Sequence, residues 1–116
     1  FPISLKFQII NPEKVDLKSV DENSILVDKD LLKFPLTLQN WKKGMYFYPF
    51  GMEGTKKLSK FFKDEKYSLP QKENTWLLCS ENRIIWVVGK RADNRFRITP
   101  QTTHILKITL DDEKNS

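Results

Sequence analysis

Cysteine, histidine and glycine are scarce in this chain, and each shortage excludes a class of site. The single cysteine, Cys79, excludes an internal disulfide and a cysteine-based zinc site, as is typical of a reducing cytoplasm. The only histidine, His104, has no cysteine or acid at ligand spacing, which favours a structural or surface role. The four glycines form neither G-x-x-x-x-G-K-[ST] nor G-x-G-x-x-G. We therefore expect no catalytic residue, metal or cofactor within the chain.

Long apolar runs are also missing. No stretch approaches the roughly 18 residues of a membrane helix, so we expect no membrane contact. At 116 residues and 39% hydrophobic, the chain is long enough for one core, and we expect residues 1–116 to form a single domain with a polar tail at 111–116. Because the first residue is Phe1, we expect this domain to be the C-terminal part of a longer protein.

Positive charge is concentrated in two segments. The net charge is +5, while residues 42–67 carry +4 and residues 83–97 carry another +4. Two basic segments on an otherwise slightly acidic chain are typical of a surface that binds polyanions, if folding brings them together. The alternative is a solvated lysine-rich surface with the arginines in local ion pairs.

Apolar periodicity predicts an α+β fold, a β-rich, sandwich-like domain of about seven mostly antiparallel strands with one main helix. The helix is predicted over 55–65, with Thr55 as N-cap and Leu58, Phe61 and Phe62 as its buried stripe. Residues 68–74 are predicted as loop, because Pro70 is a breaker. The predicted strands are 4–10, 24–28, 34–41, 46–50, the hairpin 75–80 and 83–88, the fragment 96–99, and 105–110.

The predicted helix has an unusual charge polarity. Lys56 and Lys57 fall in its first turn and Asp64 and Glu65 in its last, opposite to the arrangement that the helix macrodipole favours. A helix N-terminus attracts anions through its free N–H groups, and two ammonium groups would add to that attraction. This pattern indicates a phosphate-binding role.

Two motifs resemble the C-terminal domain of tRNA(Ile)-lysidine synthetases. Residues 49–62 (PFGMEGTKKLSKFF) resemble the segment P-x-G-M-x-G-x-K-K-L-S-D-F-F of that domain, and residues 85–97 (IWVVGKRADNRFR) resemble W-V-x-G-x-R-x-D-x-R-F. Residues 26–36 are similar to the lead-in D-x-D-K-L-x-x-P-L, so the resemblance spans about 24–110. The chain departs from the pattern around Gly44, where the usual arginine and acid are missing, and at Lys60, where the family often has aspartate.

The resemblance implies an ATP-dependent parent ligase. Such an enzyme uses ATP, with magnesium, to adenylate the wobble cytidine of an isoleucine tRNA, and then replaces the adenylate with lysine. That chemistry belongs to an N-terminal catalytic domain with an S-G-G-x-D-S loop, and no such loop occurs here. We therefore expect this fragment to be non-catalytic and to bind the acceptor-stem side of the tRNA in the cytoplasm. The β-rich fold with one helix is also what the resemblance implies.

Eight side chains are the candidate RNA contacts, and each has a structural alternative. The helix lysines would otherwise be a solvated face, and the arginines would pair with Asp93 or with the acidic N-terminal region. Arg91 in particular is expected to pair with Asp93. The eight candidates are Lys56, Lys57, Lys60, Lys63, Lys90, Arg91, Arg95 and Arg97.

An alternative function is a protein-interaction or dimerisation module without direct RNA contact. In that case the aromatic segment 46–50 forms the interface of a homodimer or of another complex. Salt separates the two functions, because phosphate binding weakens steeply with salt and an apolar interface hardly responds.

Overall fold

A computed structural model describes residues 3–17 and 20–111. The chain divides into two compact units, which we call the terminal unit (Phe1–Leu32 with Phe96–Ser116) and the central unit (Lys33–Arg95). The elements in chain order are β1 (Leu5–Ile10), β2 (Ser24–Asp28), β3 (Leu36–Asn40), β4 (Tyr46–Phe47), β5 (Lys56–Lys57), α1 (Leu58–Asp64), α2 (Leu69–Glu73), β6 (Trp76–Ser80), β7 (Arg83–Val87), β8 (Arg91–Ala92) and β9 (Ile105–Leu110), with 3-10 turns at Pro12–Lys14, Lys29–Leu31 and Asn94–Phe96.

The terminal unit is built on a three-stranded antiparallel sheet in the order β1-β9-β2. The central strand β9 places Ile108 opposite Phe7 of β1 and Ile25 of β2. Ile108 and Ile25 are buried, whereas Phe7 and Ile9 on the outer strand are 44% and 66% exposed. The prediction that residues 4–10 form a strand is confirmed. The face of this strand that carries Phe7 and Ile9 is exposed to solvent.

The central unit contains a four-stranded antiparallel sheet in the order β3-β6-β7-β8 and the short pair β4-β5. The predicted hairpin is confirmed, with its turn at 81–82 and with Glu81 at φ +56°. Among the residues described, six strands have five or six residues and three have two. Every ladder is antiparallel, and α1 is the main helix, which confirms the predicted fold class.

The core of the central unit lies beneath α1. The predicted stripe of Leu58, Phe61 and Phe62 is buried, with 0–3% of each residue exposed. It packs in one cluster with Phe47, Leu77, Cys79, Ile84 and Val87. Burying each large apolar side chain contributes about 1.5–3 kcal/mol. An isolated helix of fewer than about 12 residues is marginal in water, so this packing holds α1 together.

The last turn of α1 closes in a Schellman motif. Lys66 adopts φ +57°, the Lys66 N–H donates to the Lys63 carbonyl at 3.0 Å, and the Tyr67 N–H donates to the Phe62 carbonyl at 2.9 Å. The Tyr67 ring stacks on the Phe62 ring with centroids 5.1 Å apart, which is the hydrophobic contact that accompanies this motif. The motif fixes where the helix ends and directs the chain toward α2.

The start of the predicted helix is wrong by three residues. Lys56 and Lys57 belong to β5 and pair with Phe47 and Tyr46, and the Leu58 N–H donates to the Met45 carbonyl at 2.9 Å. Lys57 is the N-cap and offers no side-chain hydrogen bond, so Thr55 is not the cap. Backbone pairing with the strand that buries Phe47 outweighs the local helix signal. The macrodipole argument, which needed both lysines in the first turn, is therefore wrong.

Two further predicted elements differ. The predicted loop 68–74 contains α2, which begins with a capping box in which Ser68 and Gln71 exchange side-chain and backbone hydrogen bonds. Pro70 is not a breaker there, because proline is tolerated in the first helical turn. The predicted strand 96–99 is instead a 3-10 turn at Asn94–Phe96, followed by an isolated antiparallel bridge between Arg97 and Val27.

Candidate nucleic-acid interface

Charge divides unevenly between the two units. The central unit holds thirteen lysines and arginines against six aspartates and glutamates, a net charge of +7. The terminal unit holds seven against nine, a net charge of −2. Seven of the eight candidate residues lie in the central unit, and Arg97 lies in the terminal unit. Attraction for a polyanion is thus a property of the central unit.

The outer side of α1 carries exposed lysines. Lys57, Lys60 and Lys63 are all exposed, because the opposite side of the helix is the buried stripe. Among the described residues, neither Lys57 nor Lys63 forms an ion pair. The Lys60 Nζ lies 3.5 Å from an Asp64 oxygen, with the lysine side chain 68% exposed. These ammonium groups can therefore approach an external anion.

Lys56 has a different environment from the other three lysines. Its Nζ lies 2.7 Å from Asp64 Oδ2, its side chain is 19% exposed, and the ammonium is 5.9 Å from the centre of the Phe61 ring. The hydrogen bond from Lys56, together with the positive charges of Lys56 and Lys60, lowers the pKa of Asp64 below its usual value of 3.8. Lys56 thus connects β5 to the end of α1.

A buried carboxylate organises the second signature segment. Asp93 is 1% exposed and accepts hydrogen bonds from the Tyr48 N–H at 3.0 Å and from the Arg95 N–H at 2.7 Å. The Arg95 guanidinium donates to both oxygens of Asp93, from Nε at 3.1 Å and from Nη2 at 3.0 Å. The same guanidinium lies 4.2 Å from the centre of the Tyr48 ring. The sequence-based pairing of Arg91 with Asp93 is wrong, because Arg95 occupies that carboxylate.

Lys90 stands over an aromatic ring. Its N–H closes a turn onto the Val87 carbonyl at 2.9 Å, and its ammonium lies 5.6 Å from the centre of the Tyr67 ring. Burial raises the pKa of Tyr67 to about 12, so the hydroxyl stays neutral at physiological pH. A shallow cleft beside this contact is also lined by Gln71 and Asn74. Sequence reasoning missed Tyr67, and no local motif marks it.

Three aromatic side chains of the segment after Met45 are exposed or partly exposed, and the predicted strand 46–50 is shortened to Tyr46–Phe47. Tyr46 and Phe50 are 51% and 53% exposed, and Tyr48 is half-buried between them. We call Tyr46, Tyr48 and Phe50 the aromatic strip. Arg91 donates toward the sulfur of Met52 at 3.9 Å, just beyond the end of the strip.

The remaining titratable residues show no catalytic arrangement within the described part of the chain. His104 Nδ1 pairs with an Asp30 oxygen at 3.0 Å on the surface, and this contact is the main reason that the pKa of Asp30 is lowered. Cys79 is buried, which raises its pKa to about 11. Over residues 3–17 and 20–111, no three His, Cys, Asp or Glu side chains are grouped to hold a metal ion. No helix in those ranges is long and apolar enough to cross a membrane.

Comparison with known proteins gives a consistent picture. The family model described as the TilS substrate C-terminal domain matches residues 36–109. The tRNA(Ile)-lysidine synthase of Parabacteroides distasonis is 50% identical over 111 residues, covering 94% of this chain and 25% of that protein. The enzyme of the same name from Bacteroides thetaiotaomicron is 36% identical over 107 residues, covering 89% of this chain and 25% of that protein. The chain thus spans about a quarter of the length of these curated relatives.

A solved structure supports the fold. The crystal structure of a TilS C-terminal domain superposes with a TM-score of 0.79 at 18% identity, covering 97% of this chain and 88% of that one. The family model covers more than half of the chain, and both signature segments lie within its range. The chain therefore belongs to the family of TilS substrate C-terminal domains.

Proposed function

We propose that this chain is the tRNA-binding domain of a tRNA(Ile)-lysidine synthase, and that it holds the acceptor-stem side of an isoleucine tRNA. The observation that carries the proposal is the net charge of +7 on the central unit, together with the exposed lysines of α1. The names of the relatives supply the substrate class, because each is a synthase acting on tRNA(Ile).

Binding is to the backbone of the stem. The major groove of A-form RNA is too narrow for side chains to read, so a protein recognises the stem through phosphates and 2′-hydroxyls. Lysine suits this role, because its ammonium is a compact charge at the end of a flexible side chain, which can adjust to the position of a phosphate. Lys57, Lys60, Lys63 and Lys90 are the proposed phosphate contacts. Arg91 and Arg97 remain proposed contacts. Lys56 and Arg95 also remain so, and they would have to share their bound carboxylates with the RNA.

Catalysis is assigned to another part of the full-length protein. We propose that an N-terminal domain uses ATP, with magnesium, to activate the wobble cytidine and attach lysine, in the cytoplasm. The residues of this chain do not fit that cofactor, because they include no phosphate-binding loop and, among those described, no group of metal ligands. The chain contributes affinity and orientation of the tRNA.

The test replaces Lys57, Lys60 and Lys63 together by alanine in the full-length protein. We expect tRNA binding to weaken by about 1–3 kcal/mol and the slope of log K against log[salt] to become shallower by about 2–3, because fewer counterions are released. The apparent tRNA affinity should carry the deficit, and the rate at saturating tRNA should remain close to that of the wild type.

A matched control removes the same charge from the terminal unit. Lys6, Lys14 and Lys107 replaced by alanine lower the net charge equally, and we expect little change in tRNA affinity. Equal losses in the two triple variants would show that only net charge matters. Unchanged affinity in the first variant, with an intact fold, would refute the proposal.

A dimerisation module is the second candidate function, and the exposed aromatic strip is the observation that favours it. An apolar interface responds weakly to salt, so sedimentation at 50 mM and 500 mM salt separates it from RNA binding. Self-association that persists at high salt, with no RNA affinity at low salt, would support the dimer.

A further inference from the structure

We propose that the aromatic strip is a stacking surface for unpaired nucleotides next to the stem that the lysines hold. This inference rests on the proposed function and adds a second subsite to it. The lysines bind phosphates, whereas this subsite binds the faces of bases. Its contact residues are Tyr46 and Phe50, with the stacked pair of Tyr48 and Arg95 between them.

The residues of the strip alternate along the chain with buried residues. Phe47 is 0% exposed, and Pro49 is also fully buried, while their neighbours Tyr46 and Phe50 are each about half exposed. Alternate residues of a strand project to opposite sides, which separates Tyr46 from Phe47 in β4, and Phe50 lies in the turn that follows Pro49. The segment is therefore anchored in the core by Phe47 and Pro49 and presents ring surface to solvent at Tyr46 and Phe50. Exposed aromatic rings are the platforms on which single-stranded nucleic acid stacks.

The strip is held in place before any ligand binds. Its backbone is fixed by the Tyr48 N–H bound to Asp93 and by the Phe50 N–H donating to the Ala92 carbonyl at 2.9 Å. The Met52 N–H then closes a turn onto the Pro49 carbonyl at 3.0 Å. Gly51 supplies the positive φ of +83° that this turn requires. A platform fixed in this way loses little conformational freedom when a base stacks on it.

Cations lie beside two of the three rings of the strip, which favours nucleic acid over an apolar protein surface. Tyr46 lies directly opposite Lys57 in the β4-β5 ladder, and side chains paired in this way share one face of the strands. The Arg95 guanidinium covers the Tyr48 ring at 4.2 Å, and guanidinium planes also stack on bases. Rings interleaved with positive charges match a ligand of bases joined by phosphates.

Two of the three tryptophans pack within the central unit. The Trp41 ring packs edge-on against Phe62 with centroids 5.4 Å apart, and Trp86 is 1% exposed. Tyr46 and Phe50 are exposed, whereas Trp41 is only partly exposed, which favours the strip.

The experiment compares two RNA hairpins with the same stem, using the full-length protein. One hairpin is blunt, and the other has a 3′ extension of four unpaired adenosines, one of them replaced by 2-aminopurine. We expect the extension to tighten binding and the 2-aminopurine fluorescence to be quenched on binding. Replacing Tyr46 and Phe50 together by leucine should remove that gain, about 5- to 160-fold for one stacked base, and the quenching. Affinity for the blunt hairpin should stay as in the wild type.

Leucine keeps apolar surface and removes the aromatic face, so it distinguishes stacking from apolar contact. The conservative changes Tyr46→Phe and Phe50→Tyr should retain the gain, and Phe7→Leu, an exposed phenylalanine of the terminal unit, should have no effect. If the double leucine variant still binds the extended hairpin more tightly than the blunt one, stacking on the strip is refuted. That result favours a role of the strip in protein contact. Blunt-hairpin binding with no gain from the extension refutes this inference alone. Failure of both hairpins to bind overturns the proposed function as well.

Discussion

Replacing the buried carboxylate of Asp93 should destabilise the central unit by about 3–4 kcal/mol. Asp93 accepts four hydrogen bonds, one from the Tyr48 N–H and three from Arg95. Breaking a buried ion pair by removing one partner costs about 3–5 kcal/mol, because the other charge is left uncompensated. The Arg95 side chain is 25% exposed, so water recovers part of that cost. The part-buried N–H groups of Tyr48 and Arg95, left without an acceptor, add to it.

The measurement is urea-dependent hydrogen exchange of the full-length protein, read in peptides from the central unit. This readout resolves one unit within a larger protein, where a single global unfolding transition does not. Asp93→Ala should lower the opening free energy of peptides from β7 and β8 by the stated amount. Asp93→Asn keeps the shape and one acceptor, so it should lie between the alanine variant and the wild type.

Asp30→Ala is the control, because this acid lies on the surface of the terminal unit. We expect the stability of the terminal unit to change little, as for ordinary surface substitutions. A change equally small for Asp93→Ala would refute the reasoning. Such a result would mean that the free-energy cost of burying the carboxylate equals the stabilisation that its hydrogen bonds contribute.

Three smaller predictions concern individual side chains. Lys66→Gly should stabilise the central unit by about 0.5–1 kcal/mol in the same exchange experiment, because Lys66 holds φ +57° at a position that favours glycine; a loss of stability would contradict this. The pKa of the Asp64 carboxyl should lie below 3.8 by NMR, and Lys56→Met should raise it, so an unchanged pKa in the variant would refute the pairing. Because the folded pKa is lowered, the pair stabilises the folded state above the unfolded pKa, and this stabilisation is lost as the pH falls through the folded pKa. The Cys79 thiol, with its pKa raised to about 11, should resist an aromatic disulfide reagent at pH 8 until urea unfolds the protein, and equal rates with and without urea would contradict its burial.

Patterns local in the sequence determined much of this protein. A short apolar run located β2 and alternation located β9, and the hairpin of β6 and β7 followed from two apolar runs separated by two residues. The i, i+3, i+4 spacing identified Leu58, Phe61 and Phe62 as the buried stripe of α1. The two signature segments were sufficient to identify the family. Each of these signals depends on residues that are neighbours along the chain, so a linear reading can detect them.

The site required the tertiary structure. Asp93 binds the Tyr48 N–H across 45 residues, and Lys56 is a strand residue only because Phe47 is buried opposite it. No local pattern records which distant groups a carboxylate will meet. The sequence therefore determined the net positive charge, while the fold determined which lysines and arginines are exposed and which are paired with acids. Lys56 and Arg95 are held by carboxylates, because folding brings those acids within hydrogen-bonding distance, and Lys57 and Lys63 remain on the surface.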